Sequence, residues 1–100
     1  MNDMKDIIEE IKYRSDIADI ISDYVKLKPA GTNYKGLCPF HNEKTPSFHV
    51  NTAKQIYRCF GCGEGGDVIS FVMKVENLDF MDAVRLLADR CGIEIKNKID

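Results

Sequence analysis

Two short runs carry side chains that could hold a metal ion: Cys38-Pro39-Phe40-His41 and Cys59-Phe60-Gly61-Cys62. In each, two residues separate the ligands, the spacing at which a tight turn aims both side chains at one point. Seventeen residues lie between His41 and Cys59, enough for a hairpin that brings the two turns together. Three thiolates and one imidazole make a closed tetrahedral set of the structural zinc type, with no position left for a reactive water. Sulfur-rich donors select against magnesium and calcium, while iron or another soft metal stays open. Gly61 and Gly63 suit the second turn, whose amides must curl toward negatively charged sulfur. One C-x-x-C pair carries little weight; a matched second pair at hairpin distance carries much more.

Other uses of these residues fit less well. A redox dithiol at Cys59 and Cys62 needs a helix N-terminus behind a parallel strand. Here Gly63-Glu64-Gly65-Gly66 follows, and the preceding pattern is a meander. His49 lacks the two-residue spacing from a cysteine and reads as a strand residue with an open face. Cys91 falls on a helical stripe with Phe80, Val84 and Leu87 and reads as a small core side chain.

The net charge of -2 conceals a segregation. Residues 26–58 hold Lys26, Lys28, Lys35, Lys44, Lys54 and Arg58 against Glu43 alone, a local charge of +5, while the flanks are acidic. Phosphate contacts respond to local potential, so this middle segment is the candidate nucleic-acid surface. Tyr34, Phe40, Phe48, Tyr57 and Phe60 interleave with the bases. Bases of a single strand stack on aromatic faces while Lys and Arg track the phosphates. Alternation points Phe48 and Val50 inward together, so Lys35, Lys44, Lys54, Tyr57 and Arg58 are the residues expected to meet a strand.

One hundred residues with 44% hydrophobic positions bound the chain to one small domain that would gain from a metal staple. No apolar run exceeds three residues, which excludes a membrane-spanning helix. The charged start MNDMKDIIEE has no secretory core, so a cytoplasmic setting is expected, in which cysteines serve as metal ligands more readily than as disulfides.

The elements that must position these residues form an α+β arrangement, a small antiparallel sheet flanked by N-terminal and C-terminal helices. Met4, Ile7, Ile8 and Ile11 recur at helical spacing behind Asn2 or Asp3 as cap. Ser15 is expected to open a second helix, with Ile17, Ile20, Ile21 and Tyr24 on one face. The period falls to two at 25–28, and Pro29-Ala30-Gly31 reads as a turn. Residues 33–37, 47–50 and 55–59 continue as strands, with a turn at 51–54. Asp67 caps a helix over 68–76 that is apolar almost all round, and Asp79 caps another that Gly92 stops. Residues 93–95 could close with a short strand. The domain thus reads as helical 1–24, meander 25–66 and helical 67–92 within a single unit, 1–100.

The run Cys38-Pro39-Phe40-His41-Asn42-Glu43-Lys44-Thr45-Pro46-Ser47-Phe48, then Tyr57-Arg58-Cys59-Phe60-Gly61-Cys62-Gly63 and Gly66-Asp67-Val68-Ile69-Ser70-Phe71, resembles the N-terminal zinc-binding domain of bacterial DnaG-type DNA primases. The resemblance extends more loosely along essentially the whole chain, and related zinc domains occur in phage helicase-primases. It implies a zinc ribbon that recognises single-stranded template DNA and assists initiation of RNA primers. Cys38, His41, Cys59 and Cys62 would be the zinc ligands. The implied enzyme is a nucleotidyltransferase whose catalysis, with magnesium, belongs to a following polymerase domain; these 100 residues carry no catalytic site of their own. Implied partners are the template, the polymerase domain in cis or in trans, and a replicative helicase, with no membrane. The alternative reading is a zinc-stabilised protein-interaction module that docks a polymerase domain or helicase.

Overall fold

The computed structural model describes residues 3–42 and 44–93, with the side chains of Asp3 and Met4 left aside. Its elements run α1 (Asp3–Arg14), α2 (Ile17–Ile21), β1 (Lys28–Ala30), β2 (Asn33–Gly36), β3 (Phe48–Asn51), β4 (Ile56–Cys59), β5 (Gly65–Gly66), α3 (Val68–Val75) and α4 (Phe80–Cys91). The five strands pair antiparallel in sequence order, so the sheet is a plain meander between two helical ends.

The pairing register fixes which residues share a face. Gly36, Phe48 and Cys59 stand in one row, and Tyr34, Val50, Tyr57 and Gly66 in the next. Of these, Phe48, Val50, Tyr57 and Cys59 are fully buried. They meet α3, whose Val68, Ile69, Phe71 and Val72 are buried as its all-round apolar sequence requires. Phe71 is the hub: its ring centroid lies 5.4 Å from Tyr57, 6.0 Å from Phe48 and 5.7 Å from Phe40. Behind it pack Ile11, Ile17 and Ile21 and, from α4, Ala83, Val84 and Leu87. Offset and edge-on ring pairs add specificity to the area that they bury.

Helix ends follow the expected chemistry at three of the predicted signals. Asp67 accepts from the Ser70 N–H at 2.9 Å, Asp79 from the Asp82 N–H at 2.8 Å, and Gly92 closes α4 in the left-handed conformation (φ 77). The second helix departs from expectation. Ser15 does not cap it but is buried, with Oγ 3.0 Å from Cys91 Sγ, and Asp16 takes the cap position without a side-chain cap bond. The first N–H of α2, at Ile17, instead donates to Gln55 Oε1 at 2.8 Å. Gln55 holds φ at 56 in the β3–β4 connection, so a remote turn caps this helix.

Further differences have local causes. The turn expected at 29–31 moves to Gly31 and Thr32, and Pro29 sits in the edge strand β1, where its missing N–H costs nothing. Phe80 and Tyr24, which share helical stripes with buried residues in the sequence, are 41% and 37% exposed. Phe80 is the first residue of α4, and Tyr24 lies beyond the end of α2, where its ring meets Phe71 edge-on at 5.6 Å and its hydroxyl donates to Glu76 at 2.7 Å. The strand suggested at 93–95 lies outside the described residues beyond Ile93, as does Asn2.

Candidate metal centre and nucleic-acid interface

Cys38 follows β2 and Cys59 ends β4, so the two strands that flank β3 deliver one cysteine from each pair. The first turn is pinned by Phe40, which packs against Phe48, Tyr57 and Phe71. Backbone bonds shape the second: Gly63 N–H donates to Cys59 O, Cys59 N–H to Glu64 O, and Phe60 N–H to Ser47 O, all at 2.8–2.9 Å. Gly63 has φ 85, a conformation that glycine adopts without strain. Gly61 is required for another reason. A Cβ there would lie 2.9 Å from His41 Nε2 and 2.8 Å from Ser47 Oγ, so the missing side chain is the space that the imidazole fills.

The ligand atoms of Cys38, His41, Cys59 and Cys62 all lie within 4.8 Å of one another. Cys38 Sγ and Cys62 Sγ are 3.8 Å apart, too far for a disulfide. That separation matches the edge of a zinc tetrahedron, which is about 3.8 Å for Zn–S bonds of about 2.3 Å. Donors already face the sulfurs. Phe40 N–H points at Cys38 Sγ (3.3 Å), and the Ser47 hydroxyl lies 3.4 Å from Cys59 Sγ. Burial pushes both thiols up, and Cys38 reaches about 12. At Cys59 burial is outweighed by the Ser47 hydroxyl and the Cys62 and Gly61 amides, and its pKa falls to about 7. The hydrogen bonds around Cys59 therefore favour its thiolate, while burial disfavours that of Cys38, and a bound cation would favour both. Three sulfurs and one ring nitrogen fit zinc. His49 and Cys91 stand apart from this group, as expected.

The other sheet face is open. Lys28 pairs with Lys35, Lys35 with His49, and His49 with Arg58, giving one transverse row across four strands. Just past β4, Phe60 is 68% exposed, with His49 edge-on at 4.9 Å and the Arg58 guanidinium 5.7 Å from its ring centroid. A shallow concavity of about 430 Å³ runs over Lys35, His49, Arg58, Ile56, Asn33 and Phe60.

Of the residues expected to meet a strand, Lys35 and Arg58 lie on this face together. Lys44 lines a neighbouring groove with Lys26, Lys28 and Lys35. Lys54 is exposed in the distal β3–β4 turn, away from both. Tyr57 is a correction: it is 1% exposed on the inner face, paired with Val50, and burial pushes its phenol up to about 12. Phe60 takes the aromatic place assigned to it, and Lys28 and His49 complete the row. The missing signal was strand parity, since a residue opposite Val50 must point where Val50 points.

Residues 3–100 match the CHC2 zinc finger family. The order of its name, one cysteine, one histidine and two cysteines, is that of Cys38, His41, Cys59 and Cys62. The chain belongs to the CHC2 zinc finger family. This CHC2 domain is 58% identical over 96 residues to a DNA primase of Clostridium acetobutylicum and 50% identical over 91 residues to one of Listeria monocytogenes. Those stretches are 96% and 91% of this chain but only 16% and 14% of the relatives' length. The crystal structure of the Aquifex aeolicus primase zinc-binding and RNA polymerase domains superposes with a TM-score of 0.86 at 45% identity. That match covers 94% of this CHC2 domain and 24% of the other chain. Among the described residues no helix is long and apolar enough to cross a membrane.

Proposed function

We propose that this CHC2 domain is the template-recognition module of a replicative DNA primase, binding single-stranded DNA to assist initiation of RNA primers. Residues 1–100 act as one unit in this reading, and polymerisation with magnesium belongs to a polymerase domain elsewhere, in the same molecule or a neighbour. The observation that carries it is the row Lys28–Lys35–His49–Arg58. Like charges directly opposite on a sheet destabilise it, and Lys28 stands directly opposite Lys35. A polyanion laid across the strands relieves that repulsion, and Phe60 offers a ring on which a base can stack.

Fluorescence anisotropy of a labelled single-stranded oligonucleotide, measured across salt concentrations, tests the proposal. Phe60→Ala should cost about 1–3 kcal/mol of affinity. Arg58→Ala should weaken binding and lower the salt slope by about 0.7. Affinity unchanged in both variants would remove the template from this face.

A second reading, docking on a polymerase domain or helicase, is favoured by Tyr13, which stands 89% exposed on the acidic first helix. Truncating α1 is a poor test because Ile11 is fully buried. Tyr13→Ala should weaken partner binding and leave DNA affinity intact if that reading holds.

A further inference from the structure

Beside the metal turn, Lys26, Lys28, Lys35 and Lys44 surround a groove of about 290 Å³ whose remaining lining is Gly36, Leu37 and Pro46. Among the described residues no carboxylate lines it, and none of these four ammonium groups has an ion-pair partner there. The groove depends on a close backbone approach. A Cβ on Gly36 would lie 2.7 Å from the Lys26 carbonyl oxygen, so glycine lets the chain entering β1 lie tight against β2. Leu37, 48% exposed immediately before the ligand Cys38, keeps one wall apolar. Four like charges gathered around so small a volume repel one another, and the arrangement calls for an anion of matching charge density.

A polynucleotide backbone carries one charge per phosphodiester and would bring few into this space. A triphosphate carries several on adjacent phosphorus atoms. The groove is also at the small end of whole-ligand pockets, large enough for the phosphates with the nucleoside outside. We propose that this groove binds a polyphosphate, the triphosphate of a nucleoside triphosphate or of a 5′-triphosphorylated RNA end. Lys28 and Lys35 belong to both groove and outer face, so a bound triphosphate lies at the margin of the surface proposed for the template. Lys26 lines the groove and not the face concavity, and Arg58 and Phe60 line the concavity and not the groove. The two proposals can therefore fail separately.

The test is an amide chemical-shift titration of the zinc-loaded 100-residue chain with ATP, AMP and a 5′-triphosphorylated diribonucleotide beside its 5′-hydroxyl counterpart. The Cys59 and Cys62 amides report that zinc stays bound. Expected are saturable shifts at Lys26, Lys28, Gly36, Leu37 and Lys44 with ATP, and weaker binding of AMP by about tenfold or more. Tighter binding of the triphosphorylated diribonucleotide than of ATP assigns the groove to an RNA end; equal binding assigns it to the free nucleotide. Lys26→Glu, an exposed change, should abolish the ATP shifts and spare the affinity for single-stranded DNA. Lys44→Glu is the second variant, read on ATP alone. AMP binding as well as ATP, ATP shifts confined to Arg58 and Phe60, or ATP affinity unchanged in both variants would overturn the proposal.

Discussion

Basic residues sit in both halves of this molecule, and the two halves treat them differently. In the helical part they are paired: Arg14 with Glu10, Lys12 with Asp67, Lys74 with Glu64, Arg85 with Asp82 and Arg90 with Asp23. On the meander, Lys26, Lys28, Lys35, Lys44, Lys54 and Arg58 have no such partner among the described residues. The supports differ as well. Val84, Leu87, Ile17 and Ile21 give the helices an apolar core, whereas the outer sheet face has solvent over it and two ligand-bearing turns at its end. The contrast separates a charge-paired scaffold from an open basic surface. Charge is neutralised internally on the helices and left open on the face proposed for the template.

The largest effect that can break this comparison is metal removal. Structural zinc contributes on the order of 10 kcal/mol or more in zinc-dependent folds, about as much as the whole stability of a 100-residue domain. Chelation, or Cys59→Ser, should strip hydrogen-exchange protection from the β3 and β4 amides first, with metal loss confirmed by elemental analysis. Sheet amides that stay protected without metal would show that the meander holds itself together as the helices do.

Smaller, and more local, is the consequence of filling the space at Gly61. Gly61→Ala places a methyl against His41 and Ser47. Overpacking of this kind costs about 1–3 kcal/mol. It should lower zinc affinity by roughly tenfold or more, measured by competition with a chromophoric chelator. Gly63→Ala, where nothing lies within 4 Å, should act through backbone strain alone. Equal zinc affinities for wild type and Gly61→Ala would mean that the imidazole is not held in that space.

Much of this was legible in the residues, and the failures share a cause. The ligand spacing, the caps Asp67 and Asp79 and the left-handed stop at Gly92 are local signals, and each is where the sequence put it. Tyr57 was misplaced because a period of two says that neighbours alternate but not which parity faces in; the pairing Val50–Tyr57 decides that. The strand Gly65–Gly66 has no side chains to alternate and is visible only through its bonds to β4. The cap supplied to Ile17 by Gln55 crosses 38 positions and leaves no local trace. What the sequence could not state was which residues lie opposite one another, and the basic row consists of nothing else.

The smallest effect separates the two halves by pH. Burial raises the Asp67 carboxyl, but the Ser70 N–H and the Lys12 ammonium at 3.1 Å outweigh it and hold the group below its ordinary value of 3.8. A depressed carboxyl stabilises the fold above the unfolded pKa and loses that contribution only as pH falls toward the native one. Between pH 7 and about 5 the Asp67 contribution is therefore constant. Zinc, by contrast, competes with protons for thiolates and imidazole, so acid weakens the metal centre over that interval. Lys12→Ala should lower stability by less than about 1 kcal/mol, since the pair is half exposed, and by the same amount at every pH in that interval. Thermal unfolding of wild type and variant checks this: the two curves should descend in parallel as the metal centre weakens. A gap that narrows with acid above pH 5 would tie the helical ion pair to the metal end and erase the division between the halves.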